Sequence, residues 1–163
     1  MTGMIVFAFA LRRIGQSPCN IRLAQAAKRI IDEADDTIVV VVQRTTAIAL
    51  RELGISVKHI IERRPGYEGS EEVVRQAARV FRQKGIKEVI LVAQPFLQLT
   101  KCIQLVRKAG FRTPSFWKLC RMIGWIGFDR QSVQPWTRGP VRLVFYTFRQ
   151  MFLGYRPPPE LSE

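Results

Sequence analysis

Short runs of β-branched apolar residues without polar alternation constrain the fold more than any other feature of this sequence. The clearest are TIVVVV at residues 37–42 and EVILVA at residues 88–93. A strand that is covered on both faces has this pattern, which is typical of parallel sheets. Residues 87–111 therefore predict a central strand, a tight turn at Pro95, and a helix that stops at Gly110.

The same order of strand and helix recurs through the first 110 residues. Further strands are predicted over residues 4–11 and 56–61, and further helices over residues 18–33, 44–53 and 71–85. Ser17 and Ser70 are predicted N-caps. This alternation indicates βαβ units with right-handed crossovers. The fold class that follows is α/β, a Rossmann-like three-layer α/β/α sandwich with a mainly parallel sheet.

The length of 163 residues suits one domain with a sizeable core. We predict a single domain over residues 1–155 and a Pro-rich tail over residues 156–163. Cys19, Cys102 and Cys120 are widely spaced and form no CxxC pair, which favours reduced thiols in core packing, no metal site and a cytoplasmic location. No apolar window approaches the roughly 18 residues that a transmembrane helix needs. The oligomeric state is left open.

The formal net charge of +13 is concentrated in the last third of the chain. Residues 101–163 contain 11 Lys and Arg but only 3 Asp and Glu. Such a balance indicates affinity for anions, whether phosphate ligands, nucleic acid or an anionic membrane surface. A general role in solubility is an equally good interpretation at this point.

The last third predicts one more strand near residues 119–126, a polar loop over 129–135 and a final helix over 140–153. Arg142, Arg149 and Arg156 recur every seven residues, with Arg138 a turn earlier, so we expect them to share one face. The opposite face carries Val141, Val144, Phe145, Phe148 and Phe152. The ordinary interpretation is a helix docked on the sheet with its arginines in solvent. The alternative is a basic amphipathic helix on anionic lipid or nucleic acid.

No standard catalytic or nucleotide-binding motif is present. The sequence contains no GxGxxG, GxxxxGK[ST], GxSxG or HExxH. The single histidine, His59, lies inside the third predicted strand, where a core or edge position is a better interpretation than a general base. Trp117, Trp125 and Trp136, with Phe145 and Phe148, are predicted to pack in the core rather than to stack on bases.

Polar residues follow the carboxyl end of each predicted strand. Because these ends meet at one edge of a parallel sheet, they should converge on a ligand crevice. A loop and helix N-terminus near Ser17 could also hold an anion through backbone N–H groups. The candidate site residues are Gln16, Ser17, Asn20, Gln43, Arg44, Thr45, Glu62, Tyr67, Glu68, Ser70, Gln94, Gln98 and Lys101.

These segments together resemble the YdcF-like domain proteins, the group that includes the envelope-associated ElyC and SanA proteins. The matching pieces, in order, are SPCNIRLAQAAKRI, VVQRTTAIALRELGI, IIERRPGYEGSEEV, VILVAQPFLQLTKCIQLVRKAGF and FDRQSVQPWTRGP. The resemblance implies S-adenosylmethionine as a ligand and Glu62 and Glu68 as an acidic pair. It also implies a His-x-x-Arg pair, whose positions fall on Gln98 and Lys101 or, with a shift of one residue, on Leu97 and Thr100.

The missing family histidine affects the choice of function, since glutamine cannot act as a base near neutral pH. Our first hypothesis is a protein that binds a small anionic or nucleotide-like ligand at the strand ends, with Lys101 on the anionic group. The second is a transferase or hydrolase on a phosphorylated or sugar-linked envelope precursor, with Glu62 or Glu68 as catalytic base. The third is an interaction module that uses Arg138, Arg142, Arg149 and Arg156 on nucleic acid or membrane.

Overall fold

The computed structural model describes residues 1–34, 37–61, 69–95 and 97–153; for Leu97 and for residues 149–153 only the backbone is described. Within these ranges the chain forms a four-stranded, all-parallel sheet flanked by helices. The predicted Rossmann-like α/β class is therefore confirmed.

The strands are β1 (Thr2–Val6), β2 (Ile38–Gln43), β3 (His59–Ile61) and β4 (Val89–Val92). Their order in the sheet is β3-β2-β1-β4. Met4 of β1 pairs with Val40 of β2 on one side and Ile90 of β4 on the other. The prediction that β4 is a central strand was wrong, because β1 and β2 occupy the middle. Beyond β4 the described chain adds only an isolated bridge between Glu88 and Arg112.

The helices are α1 (Pro18–Asp32), α2 (Arg44–Glu52), α3 (Ser70–Gln83), α4 (Leu97–Lys108), α5 (Phe116–Ile123) and α6 (Pro140–Leu153), with a 3₁₀ turn at Pro135–Thr137. The strand expected near residues 119–126 is wrong, since α5 occupies most of it. Ser115 caps this helix, its Oγ accepting from Lys118 N–H at 3.4 Å. Leu119 and Ile123, four residues apart, form the buried side of α5. Their spacing is that of a helix, although the apolar content of the segment also suits a strand.

Most element boundaries differ from the sequence prediction by one or two residues, and three differences bear on the site or its neighbours. β1 ends at Val6 rather than Leu11, and β3 begins at His59 rather than Ser56. The N-cap of α3 is Gly69, so Ser70 is its first helical residue rather than its cap. In β1 the reason is that Phe7 N–H makes the last backbone bond to β4, at the Val92 carbonyl oxygen, and the N–H groups of residues 8–11 donate to side chains instead.

The core lies on both faces of β1 and β4. Gly3 sits in β1 where a Cβ would lie 3.0 Å from the Phe81 ring of α3. Phe81 in turn meets Phe111 edge to face, with ring centroids 5.9 Å apart. Cys19 and Cys102 are buried in this core and Cys120 is half-buried, as predicted for packing thiols.

The final helix α6 has the predicted bounds but not the predicted packing. Leu143 is buried, and Tyr146 is half-buried and stacks on Trp136 at 4.3 Å, so this side of α6 faces the 3₁₀ turn and α4. The side predicted to dock on the sheet is instead exposed, including Phe145 at 72% and Phe148 at 56%. Trp117 and Trp125 are also exposed, so the core assignment was wrong for these four aromatic residues.

Candidate functional site

The loop after β1, residues 7–12, lies at the carboxyl edge of the sheet. Strands β2 and β3 are added to the sheet on one side of β1, and β4 is added on the other side. The direction in which successive strands are added therefore reverses at β1. Such a reversal is the topological switch point, where open α/β sheets bind ligands. Three of the polar residues predicted at the strand ends, Asn20, Gln43 and Gln98, bind the backbone of this loop.

Ala8 is held by two glutamine side chains. Gln43, the last residue of β2, accepts from Ala8 N–H through Oε1 at 2.6 Å. Gln98, in the first turn of α4, donates from Nε2 to the Ala8 carbonyl oxygen at 2.9 Å, and its Oε1 accepts from Gln94 N–H at 3.0 Å. Both glutamines were predicted as ligand-binding residues. Gln43 Oε1 and both amide atoms of Gln98 are bound to the protein's own backbone.

Asn20 of α1 has the same kind of role. Its Oδ1 accepts from Phe9 N–H at 2.9 Å, and its Nδ2 donates to the Ala10 carbonyl oxygen at 2.6 Å. Thr46 of α2 donates from Oγ1 to the Phe7 carbonyl oxygen at 3.2 Å. Asn20 and Thr46 are both buried. The side chains of three helices thus satisfy backbone groups that β1 leaves unpaired when it ends early.

A segment late in the chain, residues 129–133, also binds this loop. Ser132 donates from Oγ to the Leu11 carbonyl oxygen at 3.0 Å, and Val133 N–H donates to the same oxygen at 2.8 Å. Arg12 binds Asp129 with two hydrogen bonds, Nε to Oδ2 at 2.7 Å and Nη2 to Oδ1 at 2.8 Å. Residues 129–133 therefore stabilise the loop from outside the sheet.

The Asp129 carboxylate is 1% exposed, and Arg12 determines its charge state. Hydrogen bonding from Arg12 lowers the pKa of Asp129 below its ordinary value of 3.8, although burial acts in the opposite direction. Bonds from Ser17 and from Gln131 N–H add to the lowering. Asp129 is therefore an ionised, internally neutralised group and not a proton carrier near neutral pH.

A small cleft of about 80 Å³ opens beside this loop, between the N-termini of α1 and α2. Its described lining residues are Ala10, Leu11, Arg12, Gly15, Gln16, Ser17, Asn20, Thr45 and Ile48. Pockets that bury drug-sized ligands have volumes of roughly 300–1,000 Å³. This cleft therefore has room for a single small group of a ligand.

The two helix N-termini at the cleft differ in their capping. Ser17 caps α1, its Oγ accepting from Cys19 N–H at 3.3 Å. Gln43 is the N-cap of α2 but makes no capping bond, because its side chain is bound to Ala8. Thr45, the second residue of α2, lines the cleft beside this uncapped end. The first-turn N–H groups of a helix carry partial positive charge, so this end attracts anions.

Two glutamines near the sheet edge have unpaired amide atoms. Gln16, which lines the cleft, donates from Nε2 to Glu52 at 2.9 Å, but its buried Oε1 has no partner. Gln94, two residues after the end of β4, is 1% exposed, and neither its Oε1 nor its Nε2 has a hydrogen-bond partner. A buried amide without partners is costly, and a functional role is one of the explanations for such a group.

The remaining predicted site residues lie apart from the cleft or outside the described residues. Lys101 is exposed on α4 and does not line the cleft. Ser70 hydrogen-bonds the thiol of Cys102, and burial, the larger effect, raises the pKa of Cys102 to about 12. Arg44 is exposed at the start of α2, and His59 is half-buried at the start of the edge strand β3. Glu62, Tyr67 and Glu68 lie outside the described residues, as does Arg156.

Sequence reasoning missed Arg12, Thr46, Asp129 and Ser132, which all take part in holding the loop. One signal was available for Asp129, since it is the only acidic residue between Glu88 and Glu160. In so basic a segment a single carboxylate invites the question of which cation it neutralises. Its partner Arg12 is 117 positions away, so no local pattern identifies it.

The described lining of the cleft offers hydrogen-bonding groups for binding. None of its described lining residues carries a carboxylate, imidazole or amine that titrates near neutral pH. Among the residues described, no group of three His, Cys, Asp or Glu side chains is placed to hold a metal ion. None of the described helices has both the length and the apolar character to cross a membrane.

Comparison with known proteins does not add a family to this picture. No protein-family model matches the chain, and no curated protein matches it either.

Proposed function

We propose that the protein binds the anionic group of a small ligand, a phosphate or carboxylate, in the cleft between the N-termini of α1 and α2. The observation that carries this proposal is the uncapped N-terminus of α2, next to Thr45 in the cleft wall. An uncapped helix end offers backbone N–H donors together with the positive end of the helix dipole. The exposed Arg13 lies in sequence between the cleft residues Arg12 and Gly15 and adds positive charge.

The rigidity of the loop supports the same proposal. Gln43, Asn20 and Gln98 bind the loop backbone, so its shape is set before a ligand arrives. Preorganised donors lose less entropy on binding than flexible ones. Arg12 is neutralised by Asp129, and we therefore assign the attraction to the end of α2 rather than to an arginine clamp.

The identity of the rest of the ligand, beyond its anionic group, is a separate question. Membership of the YdcF-like group would imply S-adenosylmethionine, but the cleft of about 80 Å³ does not fit that molecule as a whole. Its described lining residues also offer no carboxylate for ribose hydroxyls. A nucleotide-like ligand would have to place only its anionic group here. The cytoplasmic location likewise remains a prediction.

An enzymatic function, transfer or hydrolysis on a phosphorylated or sugar-linked substrate, has weaker support. Its proposed bases, Glu62 and Glu68, lie outside the described residues. The described lining of the cleft offers no alternative base. Ligand binding is therefore the proposed function, and catalysis can be assayed once a ligand is found.

Thermal-shift and calorimetric titration with phosphate, pyrophosphate, a mononucleotide and S-adenosylmethionine would test the proposal. A ligand at 100 times its Kd stabilises the fold by about 2.7 kcal/mol, a shift of several degrees. The decisive variant is Thr45→Glu, which places a carboxylate in the first turn of α2. This charge favours the helix but competes with an anion, so we expect a stable protein that has lost the ligand shift.

Two matched controls make the result specific. Gln104→Glu adds the same charge on the exposed side of α4 and should leave binding unchanged. Lys101→Ala removes the residue that the sequence assigns to the anion, and it too should leave binding unchanged. If Lys101→Ala abolished binding while Thr45→Glu did not, the anion would lie near α4 and the proposal would be wrong. Absence of a shift with every anion would also reject it.

A further inference from the structure

The final helix α6 exposes a continuous row of apolar side chains. Val141, Val144, Phe145 and Phe148, here called the α6 apolar face, are 65%, 44%, 72% and 56% exposed. Leu143 and Tyr146, on the other side of the helix, make its contacts with the rest of the fold. Large side chains exposed together in this way indicate a surface that meets a partner.

Basic positions border this face. At 100° per residue, the angular positions of Arg142 and Phe145 around the helix axis differ by about 60°. Arg149, two turns after Arg142, has nearly the same angular position as Arg142. Arg142 is exposed. Arg138, which precedes the helix as the cap of the 3₁₀ turn, binds the Ser132 carbonyl oxygen through Nε at 2.7 Å and does not share this face. The helix therefore presents an apolar side that is edged by cationic positions.

The positive charge of the surrounding sequence indicates that the partner carries negative charge. Asp129 is the only acidic residue between Glu88 and Glu160, and its carboxylate is paired with Arg12. A net charge of +13 also opposes docking of this face on a second copy of the chain. The partner that complements this surface is anionic and has an apolar layer next to its charges.

A membrane surface meets both conditions and nucleic acid meets only one. Phosphates on nucleic acid would attract Arg142, and Phe145 or Phe148 could stack on a base, but the aliphatic Val141 and Val144 would gain nothing from bases. An anionic bilayer accepts phenylalanine and valine at the boundary of headgroups and acyl chains, while arginines stay at the phosphates. We propose that the α6 apolar face binds the surface of an anionic lipid membrane, with α6 in the plane of the interface.

Flotation of the full chain with vesicles tests this proposal. We expect binding to vesicles of phosphatidylcholine and phosphatidylglycerol at 7:3, and little binding to pure phosphatidylcholine. The double variant Phe145→Ser with Phe148→Ser should weaken binding about tenfold or more, since each phenylalanine loses the transfer of its apolar surface from water. The matched control is Ile14→Ser, which removes an apolar side chain that is 90% exposed in the loop before α1.

A second pair of variants tests the charges. Arg142→Gln should weaken binding to the anionic vesicles about fivefold, the usual effect of one cation near such a surface. Arg79→Gln removes an exposed arginine from α3 and should leave binding unchanged. Because all of these positions are exposed, circular dichroism should show that every variant folds like the parent chain.

Three results would overturn the proposal. The first is equal binding to anionic and neutral vesicles. The second is an unchanged affinity for anionic vesicles in the double phenylalanine variant. The third is failure to bind the anionic vesicles. A dimer in sedimentation, or tight binding of a single-stranded oligonucleotide that the same double variant loses, would then assign the face to another partner.

Discussion

Gln43 and Gln98 bind the two polar backbone groups of one residue, Ala8, from opposite sides of β1. Gln43 comes from the neighbouring strand β2 and accepts from the N–H; Gln98 comes from the helix after the other neighbour, β4, and donates to the carbonyl oxygen. The pair continues the hydrogen bonding of the sheet past the point where β1 ends. Two residues that look like ligand contacts in the sequence thus extend the scaffold.

Replacing either glutamine by leucine should destabilise the fold. Gln98→Leu and Gln43→Leu each remove a partner from the half-buried backbone of Ala8, at a cost of about 1–3 kcal/mol in the free energy of unfolding. Urea denaturation measures this directly. Gln104→Leu, on the exposed side of the same helix as Gln98, should stay within about 0.5 kcal/mol of the parent. Equal stability of all three variants would show that the two bonds to Ala8 contribute nothing.

The position of these glutamines could be predicted from the sequence, but their role could not. Unbroken apolar runs and caps such as Ser17 are local, so the order of strands and helices follows from the printed letters. Which group a glutamine binds depends on the path of residues 7–11, which is set by contacts with four distant segments. The position of β4 at the edge of the sheet also depends on contacts between segments that are far apart in the sequence.

The ion pair of Arg12 and Asp129 predicts a pH dependence of stability. The folded pKa of Asp129 is lower than its unfolded value, so its contribution is complete above the ordinary value of 3.8 and is lost as pH falls through the folded pKa. Asp129→Asn should therefore lower the melting temperature at pH 7, by about 5 °C for a chain of this size. The difference from the parent should shrink at acidic pH, as the parent carboxylate becomes protonated.

The measurement is a series of thermal melts between pH 2.5 and 7 for both proteins. Asp32→Asn is the matched control, since Asp32 makes an exposed ion pair with Lys28 on α1. Exposed pairs of this kind contribute little, and the control should follow the parent at every pH. A constant difference between Asp129→Asn and the parent over the whole range would contradict the linkage.

The last third shows why burial is harder to predict than helix formation. The bounds of α6 follow from Pro140 and the apolar spacing, but its apolar pattern contains two candidate sides. Only the position of Trp136, which stacks on Tyr146, decides that the Leu143 side faces inward. At residues 119–126 the apolar content predicts a strand, whereas the spacing of Leu119 and Ile123 is that of a helix. Ser115 as cap and Gly124 as stop predict the helix that is found.

Gly3 is required where β1 passes under the Phe81 ring. Any Cβ at this position would lie 3.0 Å from two ring atoms and 3.2 Å from Ile86 Cγ2. Gly3→Val should cost about 1–3 kcal/mol in the free energy of unfolding through overpacking. In the background of Phe81→Leu, which creates space, the same substitution should cost less, and the two changes should be non-additive. Additive costs in a double-mutant cycle would indicate that the ring does not restrict this position.

The three thiols should differ in reactivity in an order set by burial. Burial raises the pKa of each, and that of Cys102 rises from 9.0 to about 12. Three pH units correspond to about a thousandfold less thiolate, the reactive form, at pH 8. Half-buried Cys120 should therefore react first with a disulfide reagent, and Cys19 and Cys102 should react only when the fold opens. Cys120→Ser should remove the fast phase, while all three thiols should react together in denaturant. A fast phase that survives Cys120→Ser would mean that Cys19 or Cys102 is accessible in the native state, in conflict with their burial.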